Sequence, residues 1–310
     1  MKDDIINRIK LLKEQKNALI LAHYYLNMEV QSIADFCGDS FELAKKAKAS
    51  DKDIIIFCGV KFMAESAKIL NPHKRVFIPR PDAGCPMADM VTPEDIDLWR
   101  SKYPEAAVVC YINSSAATKV KCDVCVTSSN AMRVISKLPQ KEIVFVPDKN
   151  LGGYIAKQMP EKIFHLHNGW CPTHKNLTAE DVLAAKAAHP GAPVLSHPEC
   201  EDEVLALSDM IGSTSEILDF ARKSDAETII IGTEMGVVER LDEELPGKNV
   251  ILLHERLVCS NMKKTYLSDV LETLLSISPE AGENSREIVL TEDTMDGARA
   301  PLEKMLELAK

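Results

Sequence analysis

Basic side chains are in the minority. The 37 Lys and Arg face 47 Asp and Glu, a formal net charge of −10, and they nowhere gather into a block that could serve as a footprint on a phosphate backbone. Nucleic acid is therefore not an expected partner. Long apolar runs are also missing. The longest stretches, such as 54–60, have the length of a core strand and fall far short of the roughly 20 residues a helix needs to cross a bilayer. No membrane span is expected. The first 17 residues have helical spacing but neither an apolar h-region nor a small-residue cleavage site, so export is not expected. The 9 cysteines are odd in number and scattered, which reads as reduced thiols with ligands or nucleophiles among them, not as a disulfide framework. The expected compartment is the cytoplasm.

What is present is an ordinary folded composition, 45% hydrophobic and 27% charged, over 310 residues. That length gives a prior of two domains, with one or three still open. Short apolar, β-branched runs recur at 18–22, 53–57, 76–78, 108–112, 123–127, 143–146, 163–166, 193–196, 209–212, 228–231 and 249–253. Helical stretches such as 41–48, 131–137, 179–188 and 216–223 lie between them. This alternation predicts an α/β fold with parallel, helix-covered sheets.

The chain also resembles itself. Strand ends carry His23-Tyr24-Tyr25, Tyr111-Ile112-Asn113 and His197-Pro198-Glu199, at spacings of 88 and 86 residues. A second triplet keeps these spacings: segments beginning at Asp35, Asp123 and Asp209 run into helices at the hydroxyl residues Ser40, Ser128 and Thr214. The third triplet is Cys85, Cys171 and Cys259, each after the last strand of its third, 86 and 88 residues apart. Three similar α/β units about a pseudo-threefold axis are implied, over 1–102, 103–187 and 188–279, with 280–310 packing back on the first. Ligand crevices lie outside the carboxyl ends of strands in open α/β sheets, so all nine positions should face one central cavity.

Each element has a chemistry. Three cysteines, one per unit, leave a tetrahedral or cubane site one ligand short. A [4Fe–4S] cluster so held keeps one iron free to act as a Lewis acid. Zinc on the same cysteines plus His174 of Cys171-Pro172-Thr173-His174 is the competing arrangement. Cys122 and Cys125 form a CxxC, but the repeat aligns Cys125 with Cys37 and Ile211, a small apolar core position, so packing is the expected role. Ser40, Ser128 and Thr214 sit where an N-cap belongs, and Ser213 with Glu216 has capping-box spacing. Helix starts converging on a cavity also suit anions, which implies a polyanionic small substrate. His23, Tyr25, Tyr111, Asn113, His197 and Glu199 supply groups of graded pKa for proton transfer. His73, His165, His167, His189 and His254 lack repeat support and read as surface or core residues.

These stretches, taken in order with Gly38-Asp39-Ser40, Gly84-Cys85-Pro86-Met87-Ala88-Asp89, Thr127-Ser128-Ser129-Asn130, Gly169-Trp170-Cys171-Pro172-Thr173-His174 and Gly212-Ser213-Thr214-Ser215-Glu216, resemble the quinolinate synthase family along nearly the whole chain. The resemblance implies three α/β domains around a [4Fe–4S] cluster. It also implies condensation of iminoaspartate, supplied by an aspartate oxidase or dehydrogenase, with dihydroxyacetone phosphate to give quinolinate, phosphate and water. Carried over by position, Cys85, Cys171 and Cys259 would hold the cluster. His23, Ser40, Tyr111, Ile112, Asn113, Ser128, His197, Pro198, Glu199, Ser213 and Thr214 would form the substrate site. Glu199, Tyr25, Tyr111 and His23 would carry protons, Ser213, Thr214 and His197 would hold carboxylates, and the helix starts at Ser40 and Ser128 would take phosphate. One departure is visible: where some family members carry a CxxCxxC after the third ligand, this chain has Met262 and Thr265, so thiol–disulfide regulation at that loop is not expected. The rival classes are a non-catalytic cluster protein that senses an anion and a zinc-dependent aldolase or hydrolase.

Overall fold

The computed structural model describes residues 2–278 and 284–310. Its strands form three four-stranded sheets. The first holds β1 (Ala18–His23), β2 (Phe36–Gly38), β3 (Ile54–Cys58) and β4 (Arg75–Phe77). The second holds β5 (Ala107–Tyr111), β6 (Val124–Val126), β7 (Glu142–Val146) and β8 (Ile163–Leu166). The third holds β9 (Val194–Ser196), β10 (Met210–Ile211), β11 (Thr228–Gly232) and β12 (Asn249–Leu252). All three share one order, β2-β1-β3-β4, β6-β5-β7-β8 and β10-β9-β11-β12, with parallel pairing throughout the named strands. The α/β class and the three similar parallel units are therefore as expected. β2, absent from the apolar runs read along the chain, is Phe36-Cys37-Gly38, too short and too glycine-bearing to register alone.

The units repeat in their fastenings as well. Asp35, Asp123 and Asp209 each accept, through one carboxylate oxygen, the backbone N–H of Ile20, Val108 and Val194, at 2.8, 2.7 and 2.8 Å. In each case a cation from the preceding helix completes the pair: Lys13, Arg100 and Lys186. Lys74, Lys162 and Lys248 likewise reach the last carbonyls of a helix or the turn after it, at Ala47 and Ser50, Leu138 and Gln140, and Ala221 and Ser224. A cation there also complements the negative end of the helix. These bonds fix each inner strand against its outer neighbour, and so fix where the strand ends point.

Helices between units bind the three into a ring. Helix Pro93–Lys102, the last part of the expected first unit, packs on helix Ala116–Val120 of the second. Helix Ala179–Ala188 packs on helix Asp202–Leu205 of the third. Helix Leu267–Ser276 closes the circle, packing on the N-terminal helix Lys2–Gln15 and on β3 of the first unit. The C-terminal helix Glu292–Leu308 packs on helix Lys61–Leu70 of the first unit but also on β6 and helix Ala116–Val120 of the second, so it braces a seam. The limit expected at 279/280 lies outside the described residues. The first two units share one continuous apolar core, into which Leu267, Val270, Leu302 and Met305 reach, whereas the third has separate clusters. Gly236 marks the seam between third and first units, where a Cβ would run into the Tyr24 carbonyl.

These fastenings predict an asymmetry between two acidic residues. Asp123→Ala strands the buried Val108 N–H and should lower stability by about 1–3 kcal/mol. Asp97→Ala removes only an exposed partner of Lys121 and should stay within about 0.5 kcal/mol of wild type. Calorimetry of the two variants checks this, and equal losses would remove the fastening role.

Candidate active site

The strand ends of all three sheets meet around one cavity of about 280 Å³. His23 ends β1, Tyr111 ends β5 and His197 directly follows β9, so the pleat carries Tyr25, Asn113 and Glu199, two residues on, into the same space. At two of these ends the chain uses one device. The Tyr25 N–H donates to His23 Nδ1 at 3.1 Å, and the Glu199 N–H donates to His197 Nδ1 at 3.3 Å. With Nδ1 accepting, a neutral imidazole carries its proton on Nε2. Burial, reinforced for His23 by His197, lowers both ring pKa values to about 3. At neutral pH both rings are therefore uncharged Nε2–H donors.

Glu199 is the centre of the polar network. Its Oε1 accepts from the Tyr111 hydroxyl at 2.6 Å, and its Oε2 lies 2.7 Å from His174 Nδ1 and 3.7 Å from His197 Nδ1. Burial opposes ionisation of this carboxyl, but the hydrogen bonds from His174 and the Tyr111 hydroxyl outweigh it and hold the group below the usual carboxylate range. A carboxylate only accepts, so His174 donates through Nδ1. Burial and then the Glu199 charge push the phenols of Tyr25 and Tyr111 well above their ordinary pKa, so both stay protonated. The site thus holds one base and several neutral donors. Asn113 Oδ1 is buried there with no protein partner, and Asn150 Nδ2 holds the Glu199 carbonyl at 3.0 Å.

The three repeat cysteines line the same cavity. Each begins a tight turn whose N–H groups point at its sulfur: Ala88 and Met87 for Cys85, His174 for Cys171, Met262 and Asn261 for Cys259. Such donors favour thiolate, but burial wins, raising Cys85 to about 12 and lifting Cys171 and Cys259 as well. A cation entering here must displace protons, as thiolate ligation requires. The donor set suits a soft or borderline metal. Cys171, His174 and Glu199 also bring ligand atoms within 4.8 Å of one another.

Comparison with known proteins gives the chain a family. The model of the quinolinate synthetase A protein family matches residues 7–307. The chain belongs to the quinolinate synthase family. It is 50% identical over 307 residues to a quinolinate synthase of Caldicellulosiruptor saccharolyticus, covering 99% of both chains. It is 46% identical over 312 residues to one of Sulfurihydrogenibium sp., again covering 99% of both. Against one of Aquifex aeolicus it is 45% identical over 311 residues, 99% of this chain and 94% of the relative. Membership makes the chain an enzyme of a biosynthetic family.

Of the residues expected from the sequence, His23, Tyr25, Ser40, Tyr111, Asn113, Ser128, His197, Glu199, Thr214 and the three cysteines line the cavity. Ile112, Pro198 and Ser213 are buried but do not line it. The expected capping roles are shifted by a residue or more. Asp39, not Ser40, caps helix Ser40–Ala49, accepting from Phe41 and Glu42 at 2.9 Å. Ser213, not Thr214, caps helix Thr214–Lys223, in the expected box with Glu216. Ser128 precedes the N-cap Asn130 of helix Ala131–Ser136 by two residues. The three cavity hydroxyls are thus spared for another use. The CxxC cysteines and the five unsupported histidines stay out of the cavity, as expected. Sequence reading missed Asn150, which holds the Glu199 carbonyl, and Thr233, whose hydroxyl lies 2.9 Å from His174 Nε2, and weighed His174 only as a metal ligand. None belongs to a triplet, so the signal that found the others was silent. No helix among the described residues is long and apolar enough to cross a membrane.

Separate capping and cavity residues lead to a second prediction. Asp39→Ala should lower stability by about 0.5–2 kcal/mol, whereas Ser40→Ala and Ser128→Ala should each stay within about 0.5 kcal/mol of wild type in urea unfolding. A Ser40→Ala loss equal to that of Asp39→Ala would return this hydroxyl to capping.

Proposed function

We propose that this chain condenses iminoaspartate with dihydroxyacetone phosphate to give quinolinate, phosphate and water in the cytoplasm. An aspartate oxidase or dehydrogenase would supply the imine. Cys85, Cys171 and Cys259 would hold a [4Fe–4S] cluster with one iron free of protein ligands. The observation that carries this reading is that three cysteines, one from each unit, line the cavity that also holds the Glu199 network, in a chain whose family is known. When bound, an open-site cluster supplies Lewis acidity to a substrate oxygen without any change of redox state.

The rest follows from the chain's own groups. Making an aromatic ring from an imine and a triose phosphate needs enolisation, carbon–carbon and carbon–nitrogen bond formation, and loss of phosphate and water. Those steps move several protons. Glu199, held ionised, is the base, and Tyr25 and Tyr111, held protonated, are donors. His23 and His197 offer uncharged Nε2–H groups, His197 with Thr214 to a carboxylate and His23 to the carbonyl side of proton transfer. The phosphate is better served at Ser128 than at Ser40. Asp39 already claims two N–H groups of the Ser40 helix, whereas the helix after Ser128 has no side-chain cap.

Two rivals are separable. A zinc enzyme would use His174 as the fourth ligand; here its Nδ1 lies 2.7 Å from Glu199 Oε2 and 3.3 Å from Cys171 Sγ, and its Nε2 lies 2.9 Å from the Thr233 hydroxyl, so zinc would have to displace the bond to Glu199 or the bond to Thr233. A non-catalytic anion sensor would need none of the graded acids and bases. Iron and acid-labile sulfide assays after anaerobic purification, with quinolinate measured from the two named substrates, decide between the three.

Two predictions follow from the assignments. Cys171→Ala should lose iron and sulfide, while Cys37→Ala, Cys122→Ala and Cys125→Ala keep them, and full iron in Cys171→Ala would sink the ligand set. Glu199→Gln should keep its fold and cluster and bind substrate, but lose turnover by about 10²–10⁴. Near-normal quinolinate formation on a cluster-replete sample would pass the base role to another group.

A further inference from the structure

Each cysteine turn is fastened to the start of the segment that follows its unit's central strand. The third residue after that strand donates its N–H to the carbonyl two residues before the cysteine: Lys61 to Ala83 at 2.8 Å, Lys149 to Gly169 at 2.9 Å and Met235 to Leu257 at 2.8 Å. The residue just before each donor keeps the repeat spacings of 88 and 86, yet its side chain changes from unit to unit: Val60, Asp148 and Glu234. Val60 has no acceptor to offer. Asp148 spends Oδ1 on the N–H groups of Asn150 and Leu151, at 2.8 and 2.9 Å. The Cys171 N–H faces this carboxyl, but Oδ2 is buried without a hydrogen-bond partner.

Glu234 is longer by one methylene. Its Oε2 accepts the Gly236 N–H at 2.7 Å, just as Asp148 Oδ1 accepts that of Asn150. Its Oε1 goes further and accepts the N–H of Cys259 itself, at 3.1 Å. Starting the helix needs only the reach of an aspartate, as Asp148 shows, so the added length serves the cysteine. The side chain is fully buried and lies outside the cavity lining. Lys263, from the same turn as Cys259, stands 3.6 Å from Oε1 and pairs with Glu239 at 3.3 Å.

We infer that Glu234 is a positioning residue for the third cysteine: it fixes the Cys259 backbone, and with it the direction of the sulfur, against the start of helix Gly236–Glu244. This rests on the reading of Cys259 as a cluster ligand. The N–H groups of Met262 and Asn261 point at the sulfur and orient it within its own turn. Glu234 orients the turn within the unit. Outer partners of a metal ligand hold it in place, and losing one typically costs about 10–100-fold in metal affinity.

The test uses the cluster-loaded full chain carrying Glu234→Asp, which copies the second unit and still reaches Gly236, or Glu239→Gln, which removes the other acidic partner of Lys263. Anaerobic iron release to an excess of ferrous chelator should run about tenfold faster in Glu234→Asp and stay within twofold of wild type in Glu239→Gln. A second readout needs no cluster. In the metal-free full chain with ¹⁵N-labelled cysteine, the Cys259 and Cys85 amide signals are identified by their loss in Cys259→Ala and Cys85→Ala. Glu234→Asp should shift the first and leave the second in place, whereas a general loosening would move both. Should Glu234→Asp not fold, Glu234→Val, which copies the first unit, carries both measurements with the same expected outcomes. Iron release at the wild-type rate, an unmoved Cys259 signal, or an equal shift at Cys85 each overturns the inference. Should wild type take up no iron and sulfide, the cluster reading fails, and the Cys259 signal still decides the role of Glu234.

Discussion

A carboxylate that is almost wholly buried cannot stay ionised unless the protein replaces its water, and the charge on Glu199 is the constraint on which the site depends. An unpaired charge in the interior would neutralise by shifting its pKa upward. Here the shift runs the other way, because donors surround it: Tyr111 and His174 from the second unit, with the His197 ring beside it from its own. Both donors, Tyr111 and His174, come from another unit. The charge is stable only when the units are docked, so assembly of the ring and readiness of the base are one event.

Docking to that tolerance needs rigid strand ends, and the repeated fastenings supply them. The three aspartates that pin inner strands and the three lysines that close helix ends sit at equivalent places in each unit. They are charge-assisted bonds to backbone, stronger than neutral ones. The helices then carry the fit from unit to unit, the last of them returning to the N-terminal helix. A displacement at any seam is felt at the cavity, because every unit contributes side chains to it.

How much of this the sequence disclosed depends on whether a feature repeats. The cysteines, the strand-end triplets and the cavity hydroxyls recur at near-constant spacing and were legible. So was the α/β class, from apolar runs at strand length. The N-cap assignment slipped by one residue at Asp39-Ser40 and Ser213-Thr214, since both members of each pair are good caps and only the backbone angles at the junction choose between them. His174, Asn150 and Thr233 stayed hidden for a different reason. Their partners are 25, 49 and 208 residues away or lie across a seam, and pairing over such distances is set by docking, which no local pattern records.

Symmetry and its breakage divide the labour of the site. A metal held by three equivalent ligands is indifferent to which unit supplies each, so one cysteine per unit suits it; Cys85 and Cys259 lead into 3-10 turns and Cys171 caps the short helix Pro172–Lys175. A condensation of two unlike substrates cannot be served that way. It needs a base on one side, acids on another and separate places for phosphate and carboxylates. The strand-end triplets answer with His and Tyr in the first unit, Tyr and Asn in the second, His and Glu in the third. The residue after each central strand goes further, Gly59 after β3, Pro147 after β7 and Thr233 after β11, and the Thr233 hydroxyl reaches Tyr25 of the first unit and His174 of the second. The repeated positions therefore build the vessel, and the positions that escaped the repeat direct what happens inside it.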